Sequence, residues 1–424
     1  MKKTLRIKSK TQRTSLGFGM GLFFFGLTSS SFASQNIFGE VVSGTAPKAT
    51  LMNWVDLGVL FIALSLASFL VLKARSRAGL FLLTLASLAY FGFWRMGSTT
   101  SVGSLQNIFA SISTSGYGIP LIAIVLFILP LLFTFFFGRI FCSSICPLGA
   151  IQEVVAIKPI KVPKLIEKTL SLFPYFYLGF TILFVVMGAG FLLSKYDPFV
   201  SFFQGTTTPT LLMIGGGILL VGIFVARPYC RFICPYGVLL GWVSKFSRTH
   251  VTITTTECIQ CTLCIDTCPY NAINEPISEI APENRRTGIH RMGILFILLP
   301  LFIIIGSISG VLLKEPIAQL HPTVQLAERV AKEEIGFYVS SSAESKAFYA
   351  TKKTKKELYV EITQLKKRYA VAGGLFGAFV GLIIGLKLIS ASILRHNKNY
   401  EPNKLSCFSC ARCFKACPTP HTDK

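Results

Sequence analysis

Residues Ile119–Gly149 read IPLIAIVLFILPLLFTFFFGRIFCSSICPLG. The first nineteen, to Phe137, carry no charge, and about 20 apolar residues as a helix match the roughly 30 Å hydrocarbon core of a bilayer. Directly after them comes Cys142-x3-Cys146-Pro147-x-Gly149, a pair of soft metal ligands at a helix end. The pattern recurs further on, where the apolar block Leu211–Ala226 runs into Cys230-x3-Cys234-Pro235-x-Gly237. A helix hairpin precedes each motif, which makes a parallel internal repeat, and such repeats usually share a site at their interface. Two cysteines cannot complete a cluster, but two pairs can. Cys142, Cys146, Cys230 and Cys234 are therefore read as a candidate third iron–sulfur or metal centre, converging between the repeats at the cytoplasmic membrane face. Buried free thiols at helix ends are the simpler alternative, and the matched motif in both repeats argues against it.

Five more blocks can span: Trp54–Leu72, Ala78–Trp94, Leu172–Ser194, Met292–Leu313 and Val371–Ile389. Of the 424 residues 52% are hydrophobic and only 14% charged, against about 25% charged in soluble domains, so a soluble globular protein is excluded. The N-terminus has a basic stretch, MKKTLRIKSKTQR, then apolar LGFGMGLFFFGL, then SSSFASQ. That is the pattern of a signal peptide over 1–33, with cleavage after Ala33, or of an uncleaved signal anchor.

The formal charge is +23. A nucleic-acid partner is one reading of such an excess, but the cations sit beside the apolar blocks, as the positive-inside rule requires. Threading from an outside start gives inside loops at 73–77, 138–171, 227–291 and 390–424. The first three hold Lys73, Arg75 and Arg77; Arg139, Lys158, Lys161, Lys164 and Lys168; and Arg227, Arg231, Lys245, Arg248, Arg285, Arg286 and Arg291. The short outside loops, 95–118 and 195–210, carry only Arg95 and Lys195. The segment 314–370 threads outside although it has eleven Lys/Arg against seven Glu, which long translocated segments tolerate. Pro322–Glu334 and Lys352–Arg368 within it read as polar helices. In the last block Gly373, Gly377, Gly381 and Gly385 line one helix face and let a second helix approach closely.

The other eight cysteines form two ferredoxin runs. They are Cys258-x2-Cys261-x2-Cys264-x3-Cys268-Pro269 and Cys407-x2-Cys410-x2-Cys413-x3-Cys417-Pro418. Three cysteines two apart wrap one cubane, and the fourth ligates the other cluster in two-cluster ferredoxins. The expected sets are Cys258, Cys261, Cys264 and Cys417 for one [4Fe-4S] cluster, and Cys407, Cys410, Cys413 and Cys268 for the other. Zinc would ask for a pair of Cys-x2-4-Cys hooks rather than four cysteines in one run. The 138 residues from Pro269 to Ser406 contain two spans, which return the second run to the side of the first, and loop closure grows only logarithmically with length. A single crossing, with 314–370 inside, is the rival. No Cys-x-x-Cys-His occurs and His250, His290, His321, His396 and His421 avoid the centres of the spans, so no haem is expected. No catalytic triad, Walker loop or paired catalytic carboxylates are present, and no catalytic residue is assigned.

These motifs resemble the membrane polyferredoxins of the NapH and NosR type, over roughly residues 54–290 plus 405–418. The resemblance implies a multi-pass inner-membrane protein that carries electrons in anaerobic respiration. Quinol or a cytoplasmic donor would supply the electrons, and a nitrate or nitrous oxide reductase would receive them. Other respiratory redox proteins, including a flavin- or haem-bearing subunit, and membrane lipid are the implied partners, with no nucleic acid. A maturation or regulatory factor, such as a metal reductase for enzyme assembly, is the alternative. Two features depart from NosR: only residues 34–53 stand where it carries a flavin-binding domain, and the two runs are split. The expected fold is an α-helical polytopic membrane protein of about seven transmembrane helices plus the N-terminal signal or anchor, with a small α+β bacterial-ferredoxin-like domain. Its units are the signal over 1–33, a membrane domain over 54–240, ferredoxin halves over 251–290 and 390–424 on the cytoplasmic side, and a transmembrane hairpin over 292–389 with outside loop 314–370.

Overall fold

The computed structural model describes residues 51–97, 101–113, 119–189, 194, 196–205, 208–253, 258–276, 285–334, 343–351, 354–393 and 400–418. The signal segment 1–33 lies outside these. Each of the seven apolar blocks contains a helix among the described residues. α1 (Leu51–Leu72) and α2 (Arg77–Ser87, continuing as a π-helix over Leu88–Trp94) form a hairpin. At its far end the buried Asp56 carboxylate accepts from Arg95 Nε at 2.9 and 2.8 Å and from Tyr90 Oη at 3.1 Å.

The first repeat then runs α3 (Ser101–Ser113), α4 (Leu121–Phe137), α5 (Ile140–Ser144) and α6 (Pro147–Val155). The second runs α7 (Phe173–Val186), α8 (Pro198–Gln204), α9 (Pro209–Phe224), α10 (Pro228–Phe232) and α11 (Pro235–Lys245). Among the described residues five helical stretches are long and apolar enough to cross a membrane: Leu51–Leu72, Arg77–Trp94, Lys164–Val186, Arg286–Leu312 and Lys355–Ser392. Counting α8 and α9 as one bent span makes six. α4 with 17 residues and α9 with 16 lead into the Cys-x3-Cys-Pro motifs. They stop where the backbone turns, at Gly138 (φ 82°) and Arg227 (φ 52°).

Beyond those turns the chain folds back into the bundle. Tyr236, two residues past Cys234, donates its hydroxyl to the Phe127 carbonyl at 2.8 Å, and Phe127 lies mid-way along α4. Pro147 Cβ lies 3.4 Å from where a Cβ on Gly92 would sit, about 20 Å along the α2 stretch from Arg77 at a rise of ~1.5 Å per residue. α6 and α11 then carry the chain back, so that Glu153 meets Arg77, and Arg248 and Thr249 donate to the Phe135 and Phe136 carbonyls at 3.3 and 2.9 Å. The quartet lies inside the bundle, among buried apolar side chains. Five-residue helices α5 and α10 with buried side chains cannot lie on a polar surface, and they insert instead. The loops expected outside likewise contribute helices to the bundle: α3 packs through Leu105 against Leu178 and Val238, and α8 sets Phe199 against Tyr229 with ring centroids 5.0 Å apart.

α13 (Arg285–Leu312) and α16 (Lys355–Ser392) pack along a seam of small residues. A Cβ on Gly310 would strike the Gly373 carbonyl, one on Gly377 the Gly306 carbonyl, and one on Gly381 the Phe302 carbonyl. Dispersion contacts rather than hydrophobic exclusion hold helices together in lipid, so backbone approach of this kind supplies the attraction. α16 unites a polar helix expected to be separate with the last span, and starts at a capping box of Thr354 and Glu357. Beside its polar half sit α14 (Pro322–Glu334) and α15 (Ala343–Ala350), with a small core of Val324, Val330, Phe348, Leu358 and Ile362.

The two cysteine runs meet across the intervening hairpin. β1 (Ile273–Asn274) pairs antiparallel with β2 (Glu401–Pro402), Ile273 opposite Pro402 and Asn274 opposite Glu401. α12 (Leu263–Thr267) packs on α17 (Arg412–Ala416). Arg77 Nη1 donates to Cys410 O at 3.1 Å, which places this unit at the end of α2 where that helix begins.

Candidate iron–sulfur sites

The twelve cysteines gather into three sets of four. Cys142, Cys146, Cys230 and Cys234 are all buried, at 4–7% exposure, in one cluster of apolar side chains. The Cys146 thiol is in electrostatic reach of Cys142 and Cys234, and that of Cys230 in reach of Cys146 and Cys142. Cys407 and Cys413 are likewise neighboured by Cys410 and by Cys268 from the other run. Cys258, Cys261 and Cys264 line a pocket together with Cys417, Ile253, Thr262 and Tyr400. Each run thus contributes three cysteines to one set and its fourth to the other.

The local backbone explains the motifs. In each membrane loop the N–H of the second cysteine donates to the carbonyl five residues back, Cys146 to Phe141 at 3.0 Å and Cys234 to Tyr229 at 2.9 Å. Both cysteines then cap a helix whose first residue is proline, with φ, ψ of −59°, 120° and −58°, 116°. A helix N-terminus favours an anion such as a thiolate. The glycine after Cys-Pro-x is set by space, because a Cβ on Gly149 would be 2.7 Å from Cys142 O and one on Gly237 3.2 Å from Cys230 O.

The ferredoxin runs share a different device. Gln260 and Thr262 in the first have φ of 54° and 64°, and Ser409 and Ala411, at the matching positions of the second, 53° and 58°. Left-handed residues alternating with right-handed ones point successive N–H groups into one concavity, a nest for an anionic group. The Ser409 N–H donates to Cys407 Sγ at 3.4 Å. None of the four is glycine or asparagine, so no residue type announces the turn.

Among the described residues no three His, Cys, Asp or Glu side chains converge tightly enough to hold a single metal ion. Four thiols in each set are the donor chemistry of a polynuclear iron–sulfur core, in which thiolates attach to different irons. Burial pushes the Cys407 thiol up to about 12, so its ionisation depends on a bound metal.

Between the membrane quartet and the second run lies a layer that sequence reasoning missed. Burial would push the Glu153 carboxyl up, but Arg227, Arg412 and Arg77 outweigh it and hold the group well below the usual carboxylate range. Arg227 Nε donates to Glu153 at 2.8 Å, Arg412 Nη2 at 2.6 Å, and Arg77 also bonds it. Arg227 reaches across the repeats to the Cys142 and Ser143 carbonyls, the latter at 2.6 Å. Its counterpart Arg139 crosses the other way, lying 3.3 Å from a Cβ on Gly237 and donating to Leu405 O at 3.0 Å. The signal was present, since Arg139 and Arg227 each stand three residues before the first cysteine of their motif.

The fold and these sites define a multi-pass membrane protein that carries iron–sulfur clusters. A 4Fe-4S binding domain model matches twice, at residues 119–164 and 207–254, on the two repeats, and a second 4Fe-4S binding domain model matches 251–274. Protein NirI of Paracoccus denitrificans is 28% identical over 161 residues, 35% of this chain and 24% of that one. Regulatory protein NosR of Stutzerimonas stutzeri is 24% identical over 247 residues, 52% of this chain and 34% of its own. Methylamine utilization ferredoxin-type protein MauN of Methylobacillus flagellatus is 25% identical over 150 residues, 34% and 52%. The chain therefore spans between a quarter and about half the length of these relatives. No solved structure matches it. With the cysteine motifs, these matches support a membrane-associated polyferredoxin similar to the NapH/NosR type.

Proposed function

We propose that the protein conducts electrons within the membrane toward a respiratory reductase. Cys258, Cys261, Cys264 and Cys417 would hold one [4Fe-4S] cluster and Cys268, Cys407, Cys410 and Cys413 a second. Cys142, Cys146, Cys230 and Cys234 would hold a third iron–sulfur centre inside the bundle. The observation that carries this is the grouping of all twelve cysteines into three sets of four, adjoining in space. When bound, each cluster supplies a one-electron couple without bond making or breaking. The chain's own residues hold the thiolates, exclude water from the inner sites and neutralise their charge.

On this reading the ferredoxin unit lies on the cytoplasmic side of the inner membrane, beside the cation-rich loops. Quinol or a cytoplasmic carrier is the donor, and a terminal reductase or its flavin- or haem-bearing partner is the acceptor. A second reading, a regulatory or assembly role, is favoured by the printed name of the NosR relative. Anaerobic purification with iron and acid-labile sulfide analysis and EPR tests the cluster assignment. Equal iron and sulfide with cubane signals is the expected result, and zinc in place of iron would overturn it. Neighbouring genes separate the roles: a terminal reductase for electron supply, a copper transporter with an oxidase for assembly.

A further inference from the structure

Three guanidiniums, those of Arg77, Arg227 and Arg412, meet one carboxylate, Glu153, in the layer between the quartet and the second run, and a fourth, that of Arg139, lies beside them on the Phe408 ring and donates to Leu405 O. Arg227 and Glu153 are fully buried, Arg139 is 6% exposed, and Arg77 and Arg412 have side chains 15% and 19% exposed. Phe408 sits at their centre, with Arg139 over its ring at 4.3 Å, Arg227 at 5.9 Å, and Tyr270 packed on it at 4.8 Å. Counted alone, this layer buries three positive charges in excess, a costly arrangement unless anions face it. The thiol sets lie on both sides. Arg227 and Arg139 face Cys230 of the quartet, Arg139 also faces Cys407 of the second run, and Cys410 faces Glu153 together with Arg77 and Arg412. A thiolate-ligated cubane is an anion, and one-electron reduction makes it more negative.

We propose that these four arginines, three fastened together by Glu153 and Arg139 stacked on Phe408 beside them, form an electrostatic bridge. It raises the reduction potentials of the centres held by Cys268/Cys407/Cys410/Cys413 and by the membrane quartet relative to that of the centre held by Cys258/Cys261/Cys264/Cys417. The inference rests on the cluster assignment above and adds which residues set the order of potentials. The first site is differently furnished. Cys264 is neighboured by the Cys258 and Cys261 thiols, Cys261 is exposed, and Lys161 is paired with Asp266 at 3.0 Å. Exposure to water would also favour a reduced anion there. Guanidiniums acting through protein have several-fold more influence per charge than the same groups across water, and they prevail. The arginines are positioning residues that act through their field, and potential is the property to read.

The test is an EPR-monitored redox titration of the full chain in nanodiscs, with dithionite as reductant. In Arg139→Gln the potentials of the second ferredoxin centre and the quartet centre should both fall, the first centre should stay in place, and Arg139→Lys should restore most of the shift. Glu153→Gln should shift the two inner centres the opposite way, upward, which a merely loosened structure would not do. Should Arg139→Gln fail to assemble, Arg77→Gln, at the more exposed edge of the layer, should lower the second ferredoxin centre alone. Equal potentials in parent and variants at full iron content, or the same shift at all three centres, would overturn the bridge. Absence of cluster signals in the parent would instead defeat the cluster assignment, so the two failures are distinguishable.

Discussion

Ile259 and Phe408 hold the same place in the two ferredoxin runs, one residue past the first cysteine. Ile259 is 65% exposed and Phe408 is 2% exposed. The contrast runs through both segments. Leu263 is 45% exposed, whereas Arg412 at the matching position is drawn to Glu153. Thr262 is exposed and Ala411 buried, although their backbones turn alike. One motif therefore serves two environments, an open pocket at the surface and an inner site sealed against the membrane bundle. Ligand spacing builds the site, and its surroundings decide what it can exchange electrons with.

The contrast can be broken most strongly at the buried charges. Arg227→Ala removes the most deeply buried of Glu153's three cations and leaves the Cys142 and Ser143 carbonyls without their guanidinium donor. It should cost about 5 kcal/mol, the upper range for breaking a buried pair, and release iron from the inner sites first. Thermal unfolding with iron analysis measures it, and an unchanged melting point would show that water reaches this layer. Phe408→Ala leaves a cavity between three redox-proximal side chains and should cost about 3 kcal/mol. Ile259→Ala, the matching change, should stay within about 0.5 kcal/mol. Comparable losses in the two would erase the distinction between the runs.

Acid sharpens the same comparison. His250 is buried against Gly138 beside Ser409, under the second run. Burial, and then Lys404, lowers its pKa from 6.5 to about 4. The unfolded chain therefore takes up a proton more readily than the folded one. The stability tied to neutral His250 is complete above about 6.5 and drains away as pH falls toward about 4. Hydrogen exchange should show the second run loosening in that window, with His250→Gln abolishing the acid limb. A limb that persists in His250→Gln would assign it to other groups. The smallest effect belongs to the first run. The Lys161–Asp266 pair has side chains 38% and 67% exposed, so Lys161→Ala should cost under about 1 kcal/mol and lose even that in high salt.

Much of this was legible in one dimension. Apolar block length places the helices, because the bilayer imposes one length on every span. Glycines four apart in the last block announced the α13–α16 seam, since only small residues let two backbones touch. Cysteine spacing announced which cysteines gather, because a cubane would demand three thiolates from one tight turn. Arg139 and Arg227 were visible as a repeat, yet a lone arginine beside a span also reads as a topology signal. Glu153 looked like any acid on a short helix until Arg77, Arg227 and Arg412 arrived from three other segments.

By itself, then, the sequence determined the membrane helices, the internal repeat and the twelve cysteines in their motifs, all consequences of contacts within about twenty residues. Only the tertiary structure decided how the Cys-x3-Cys-Pro loops insert into the bundle and which run is sealed. Those outcomes depend on Tyr236 meeting Phe127, β1 meeting β2 and Arg139 meeting Leu405, pairs separated by 109 to 266 residues along the chain. Burial and charge compensation select such pairs over the whole chain at once, and no local pattern of residues encodes them.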